Sequence, residues 1–253
     1  MKLRNLARGI CPPIIWETAA RYAGKKMENG YSPTLREYYG LQELDRKLEK
    51  FLNFDNGFFI EIGGWDGITY SNTLFFERFR NWRGILIEPS PNEFLKCRIN
   101  RPNSHVVCCA CVPFDYAKQF VPMTYCASMT IAHSSEGARN QISDIGEHVL
   151  SGRKFLKSDE TVYEFGALAK PLTSILDEHG IRNDIDLLVL DVEGFEMNVL
   201  KGIDFSRHAP KYICVEIWNG DETCRFLSKL GYELMDVLSD QGAHSDVLFA
   251  RTR

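Results

Sequence analysis

The chain has 253 residues, with 30 Lys and Arg against 34 Asp and Glu, a net charge of −4, and 44% apolar residues. This is the composition of a globular chain with a large core. It excludes a general nucleic-acid binder, which needs a basic surface to neutralise phosphates. The longest apolar runs, at 106–112 and 185–192, are strand-length and fall short of the roughly 18–20 residues that cross a bilayer, so no membrane span is expected.

The first 26 residues depart from this balance. Lys2, Arg4, Arg8, Arg21, Lys25 and Lys26 face one acid, Glu17, so this arm is about +5 and the remainder about −9. It reads either as a solvated arm, with a helix at 14–23 packed on the body, or as a docking arm for an anionic membrane surface, a phosphate-bearing carrier or a partner enzyme. No secretory signal is expected, because the apolar stretch 10–16 is short and broken by Pro12 and Pro13. Leu41, Leu44, Leu48, Phe51 and Leu52 recur at helical spacing and predict a second helix within 35–52. Residues 1–53 are therefore expected to form an N-terminal helical extension and 54–253 the main domain. The eight cysteines read as reduced thiols, which places the chain in the cytoplasm, or at the inner membrane surface if the arm docks there.

From residue 57 strands alternate with helices. Strands are predicted at 58–62, 84–87, 106–112, 185–190, 212–217, 232–238 and 245–250. Helices are predicted at 72–79, 91–100, 172–179, 195–201 and 222–230. Nearly continuous apolar strands separated by amphipathic helices indicate a sheet buried on both faces, a doubly wound α/β domain closed by a terminal antiparallel hairpin. Residues 113–170 have poor periodicity and are expected to be a substrate lid or a surface loop, with Tyr125 and His133 as candidate acceptor contacts.

Ligands of such sheets bind outside the carboxyl ends of the strands. Those ends are acidic here: Glu61 at the first, Glu88 at the second, Asp191 and Glu193 after the fourth, Glu216 at the fifth. Gly63, Gly64 and Gly67 allow a sharp turn after the first strand. Glu88 follows Gly67 by 21 residues, about the separation at which a second-strand carboxylate meets the two hydroxyls of a ribose. A nicotinamide dinucleotide suits this outline poorly, because Trp65 and Ile68 occupy the later glycine places and Asp66 would face the pyrophosphate. S-adenosylmethionine has no phosphate and carries an ammonium and a sulfonium, which suit acidic strand ends.

At these residues the chain resembles a known family. The segments 59–67 (FIEIGGWDG), 71–73 (SNT), 82–89 (WRGILIEP), 186–194 (DLLVLDVEG) and 199–202 (VLKG) are similar to those of the FkbM-type S-adenosylmethionine-dependent methyltransferases. The resemblance covers about residues 57–250. It implies a Rossmann-like class I methyltransferase fold and O-methylation of hydroxyls on sugars or other secondary metabolites. Glu61, Trp65 and Leu190 depart from the residues common in the family. By the same resemblance Glu61 anchors the glycine loop and the cofactor's amino group, or only braces the loop; Gly63 lines the methionine moiety, Gly64 belongs to the same cofactor loop, and Glu88 takes the ribose hydroxyls. Trp65 and Asp66 are either cofactor contacts or packing and turn residues. Ser71, Asn72 and Thr73 open a helix, and either cap it or leave backbone donors free to receive the cofactor's carboxylate. Cys109 and Ala110 either lie near the adenine or serve the core of their strand.

Transfer of a methyl group to an alcohol needs an in-line approach and a group that takes the proton. Asp191 is the preferred base, with Glu193 and Glu216 next, and the three together could hold magnesium or manganese. Glu196 reads as a surface or capping acid. The expected acceptor is a sugar hydroxyl in a glycan or its precursor, as in polysaccharide biosynthesis. A catalytically silent interaction protein of the same fold is the alternative. Self-association is left open.

Overall fold

The computed structural model describes residues 37–252 apart from 183 and 219. The expected helix at 14–23 lies outside the described residues. Tyr38 onward forms one compact unit. Of the expected helix at 35–52, the described part is a short turn at Leu41–Glu43 and α1 at Leu44–Glu49.

Seven strands form the main sheet: β1 (Phe58–Ile62), β2 (Arg83–Ile87), β3 (His105–Val107), β8 (Leu187–Leu190), β9 (Tyr212–Ile217), β10 (Tyr232–Asp240) and β11 (Ser245–Arg251). Their order is β10-β11-β9-β8-β1-β2-β3. The five from β9 to β3 run parallel, and β11 runs antiparallel to both β9 and β10. This is the doubly wound sheet with a C-terminal antiparallel hairpin that the sequence predicts. Successive residues point to opposite faces, and both faces are apolar. Ile60, Ile62, Ile85, Ile87, Leu188, Leu190, Ile213 and Val215 pack with Leu172, Ile175 and Leu176 of α5 (Leu172–Glu178), Met197, Val199 and Leu200 of α6 (Glu196–Leu200), and Leu227 of α7 (Gly220–Lys229). Phe59, Leu86, Leu187, Val189 and Cys214 pack on the other face with Leu44 and Leu48 of α1, Phe75 and Phe76 of α2 (Leu74–Phe79), and Cys97 of α3 (Pro91–Asn100).

The first domain boundary moves as a consequence. Leu44, Leu48 and Leu52 are buried in the second cluster beside Trp82, so residues 38–53 belong to the main unit and not to an extension ending at 53. Their helical periodicity marks the face that covers the sheet.

The expected strand at 106–112 is also corrected. It divides into β3, in the main sheet, and β4 (Ala110–Cys111), which pairs with β7 (Tyr163–Lys170) in a second sheet. That sheet, in the order β4-β7-β5-β6, includes β5 (Phe120–Tyr125) and β6 (Ile131–Ala132). It has a small core of its own, made by Ala110, Val112, Val121, Met123, Ala132, Ala138, Ala167 and Phe195. Residues 113–170 are therefore an ordered cap built on an antiparallel β5–β7 pair. Between these strands lies α4 (Ile145–Gly152), whose first turn is capped by Asp144 accepting from the Glu147 amide at 2.9 Å.

Among the described residues no helix is long and apolar enough to cross a membrane.

Candidate cofactor and acceptor site

The site begins where β1 runs out. Gly63 has φ +93°, and a Cβ there would lie 1.9 Å from the Asp191 carbonyl oxygen. Only glycine lets the loop turn directly against the end of β8. The amides of Gly63 and Gly64 donate to the Ile87 carbonyl at 3.0 and 3.1 Å, and the Asp191 amide to the Ile62 carbonyl at 3.2 Å. The ends of β2, β1 and β8 are thus tied into one floor.

Beside and beneath this floor runs a buried polar network. Glu61 accepts hydrogen bonds from Ser71 Oγ (3.0 Å), the Asn72 amide (2.8 Å) and Thr73 Oγ1 (2.6 Å). Arg101 follows α3 and is fully buried. Its guanidinium reaches Glu77 (2.8 Å), Glu61 (3.5 Å), the Gly67 carbonyl (3.2 Å), Ser71 Oγ (3.0 Å) and Thr73 Oγ1 (2.9 Å). One cation therefore holds both ends of the loop 67–73. Thr73 lies below the cavity rather than on its wall. The helix-start donors proposed for the cofactor's carboxylate are already taken, because the amides of Thr73 and Leu74 donate to Ser71 Oγ and that of Asn72 to Glu61.

Glu88 is buried at the end of β2 and accepts from the Trp65 amide (2.9 Å) and the Ser90 amide (2.8 Å). Burial pushes its carboxyl up to about 8, against the pull of those two amides. Asp66 is a turn residue: its oxygens accept from the amides of Ile68 and Thr69 and from Thr69 Oγ1, and it is not on the cavity wall. Trp65 does line the cavity, stacked on Tyr70, and its buried indole nitrogen has no partner among the described residues.

Above the floor is a cavity of about 320 Å³, within the range of small-molecule sites. Glu61, Gly63, Gly64, Trp65, Ser71, Asn72, Glu88, Cys109 and Ala110 line it, as do Asp191, Glu193 and Glu216. Trp218, which follows β9, also lines it; sequence reading missed Asp246 and His244 on the hairpin side, and Met129 and Phe155 from the cap. Tyr125 and His133 are not on its wall. Tyr125 donates to Glu93, and His133 pairs with Thr124.

The acids of this cavity share one condition. Burial, then Asp246 and Glu61, push Asp191 up to about 7. Burial, then Asp191, raise both Glu193 and Glu216, and burial lifts Asp246 to about 6. Glu216 is clasped by the Trp218 indole N–H at 2.6 Å and lies 3.3 Å from His244 Nε2. Burial lowers His244, so its ring is neutral near pH 7. Glu196 is a capping acid, fully buried rather than on the surface, and accepts from the amides of Val192 and Gly194. Among the described residues no group of three or more His, Cys, Asp or Glu could hold a metal ion, so Asp191, Glu193 and Glu216 share a cavity without forming a metal cage. Cys108 and Cys111 have Cys-x-x-Cys spacing, but Cys108 points to the Pro89 carbonyl and Cys111 is buried in the core.

A model of the FkbM methyltransferase domain matches residues 61–234. The chain belongs to this family. It is an S-adenosylmethionine-dependent methyltransferase, and the residues present fit that cofactor: a glycine loop beside an open carboxylate, a buried acid at the second strand end, and an apolar wall at Cys109 and Ala110. No curated protein matches the chain. Among solved structures it is similar to a TehB-like SAM-dependent methyltransferase from Corynebacterium glutamicum, with 10% identity, 95% of this chain and 100% of that one covered, and a TM-score of 0.42. A precorrin-6y C5,15-methyltransferase from Geobacter metallireducens matches with 12% identity, 89% and 95% coverage, and a TM-score of 0.44. A SAM-dependent methyltransferase from Geobacter sulfurreducens in complex with S-adenosyl-L-homocysteine matches with 10% identity, 81% and 70% coverage, and a TM-score of 0.34.

Proposed function

We propose that this FkbM methyltransferase transfers its methyl group to an oxygen, the hydroxyl of a sugar in a glycan or its precursor. The observation that carries this reading is the wall beyond the glycine loop, where Glu193, Glu216 and Asp246 flank Trp218 and the neutral ring of His244. Several carboxylates can accept hydrogen bonds from several hydroxyls, and a half-buried indole offers a flat apolar face to a sugar ring. The cofactor supplies an electrophilic methyl on a sulfonium. As the acceptor oxygen bonds to that carbon, the carbon–sulfur bond would break with its electron pair left on sulfur as a thioether, and the hydroxyl proton would pass to Glu193 or Glu216. Burial, with Asp191 as a neighbouring acid, raises both carboxyls above their usual range, which makes either a stronger proton acceptor than an exposed carboxylate.

The test is a screen of nucleotide sugars and glycans with S-adenosylmethionine, read by mass for one added methyl and located by fragmentation. Methylation confined to an amine or a carboxylate would overturn the hydroxyl reading. Binding of S-adenosylhomocysteine without turnover on any acceptor would favour the silent interaction protein.

A further inference from the structure

The acids around the cavity differ in whether the protein already answers them. Glu61 is met by Ser71, Asn72, Thr73 and Arg101, so its oxygens are committed to the loop. Glu88 holds two amides, Glu196 holds two more, and Glu216 is clasped by Trp218. Glu193 lies 3.5 Å from His148 Nε2. Asp191 stands apart: its side chain is open to the cavity and, among the described residues, no donor or cation reaches its carboxylate. Its neighbours are acids, Asp246 and Glu61, which make an unanswered negative charge there costly.

Its place is fixed as tightly as that of the glycine loop. The Asp191 backbone touches Gly63 on one side and is tied to Ile62 on the other. Glu88, at the end of β2, lies across β1 from it. A ligand whose ribose sits at Glu88 and whose chain passes Gly63 brings its amino-acid end to Asp191.

We propose that Asp191 binds the α-ammonium of the cofactor, the part that family resemblance assigns to Glu61. An ammonium offers up to three charge-assisted hydrogen bonds to a carboxylate that has none. This moves Asp191 from proton acceptor to cofactor anchor. The inference rests on the family's cofactor and is independent of the acceptor.

The test is calorimetry of the full chain and its Asp191→Asn variant with two ligands. S-adenosylhomocysteine carries the ammonium and no sulfonium, so it isolates this contact. 5′-Methylthioadenosine has the same adenine, ribose and sulfur but lacks the amino-acid end. The variant should bind S-adenosylhomocysteine about 10- to 100-fold more weakly, as expected for losing hydrogen bonds to a charged group, and should bind methylthioadenosine as the parent does. The second ligand also reports that the variant is folded. Unchanged affinity for S-adenosylhomocysteine, with turnover alone reduced, would overturn the proposal and return Asp191 to the role of base. Parallel loss for both ligands would overturn it in favour of a structural role. A parent that binds neither ligand would remove the cofactor assignment and the proposal together.

Discussion

Replacing Arg101 by alanine removes the cation that Glu61 and Glu77 share and, among the described residues, leaves both largely buried carboxylates without an ionic partner. The guanidinium also lies over the Phe59 ring at 5.3 Å from its centroid. Removing one partner of a buried ion pair costs about 3–5 kcal/mol, because the remaining charge is stranded. At about 2–4 °C per kcal/mol for a unit of this size, the melting temperature should fall by about 6–20 °C. Lysine keeps the charge but not the planar fork that reaches five acceptors, so Arg101→Lys should lie between the parent and Arg101→Ala. Urea titration with linear extrapolation measures these differences. The double variant Arg101→Met with Glu61→Gln should recover part of the loss, since it deletes one stranded charge. A change within about 1 kcal/mol for Arg101→Ala, the size of an exposed pair, would refute the view that this network holds the cofactor loop.

Glu88→Ala should weaken S-adenosylhomocysteine by about 1–3 kcal/mol and, unlike Asp191→Asn, should weaken methylthioadenosine as well; calorimetric affinities equal to those of the parent would remove Glu88 from the ribose. Gly63→Ala puts a methyl into the Asp191 carbonyl at a positive φ, so it should lower stability by more than about 1 kcal/mol and abolish cofactor binding, and normal binding would show that the loop is not held against β8. Glu88 and Glu196, both buried and at about 8, lie above ordinary carboxyl values, so the fold retains protons that the unfolded chain releases and stability falls as pH rises toward about 8. His148, which is buried, and His244, which is half-buried, act oppositely, but only below about pH 6.5, so between pH 7 and 8.5 ligand-free urea midpoints should decline; a flat or rising profile would contradict the burial of these acids. The arm 1–26, with a net charge of about +5, is expected to bind anionic vesicles in a salt-sensitive way, and unchanged sedimentation after its deletion would refute that docking.

The parallel strands were legible because burial on both faces makes them continuous apolar runs, and two of them, Phe58–Ile62 and Tyr212–Ile217, have the bounds the sequence predicts. The strand-end acids were legible because polar residues after such runs have few other places to be. Arg101 was not: a lone arginine after α3 looks like any helix-end cation, and its partners lie 24 to 40 residues away in sequence. The cap was hidden for a different reason. In β7 exposed Glu164, Gly166 and Leu168 alternate with Tyr163, Phe165 and Ala167, a period-two signal weakened by small residues, and β5 carries Pro122 within it. The break after Val107 was invisible because residues 106–112 remain apolar throughout while serving two sheets. His244 and Asp246 flank the start of a hairpin strand that the sequence places correctly, but only the pairing of β11 with β9 turns them toward the crevice.

That pairing sets Asp246 directly opposite Glu216, and Asp191 follows Leu190, the last residue of β8 paired with β9. Three adjoining strands therefore each place an acid at the same edge, in an arrangement that repels itself. The crevice is a frustrated patch in an otherwise mutually consistent fold. A library selected only for heat resistance would be drawn to these positions first, exchanging carboxylates for amides, and the hardiest survivors would be those least able to handle a cationic methyl donor.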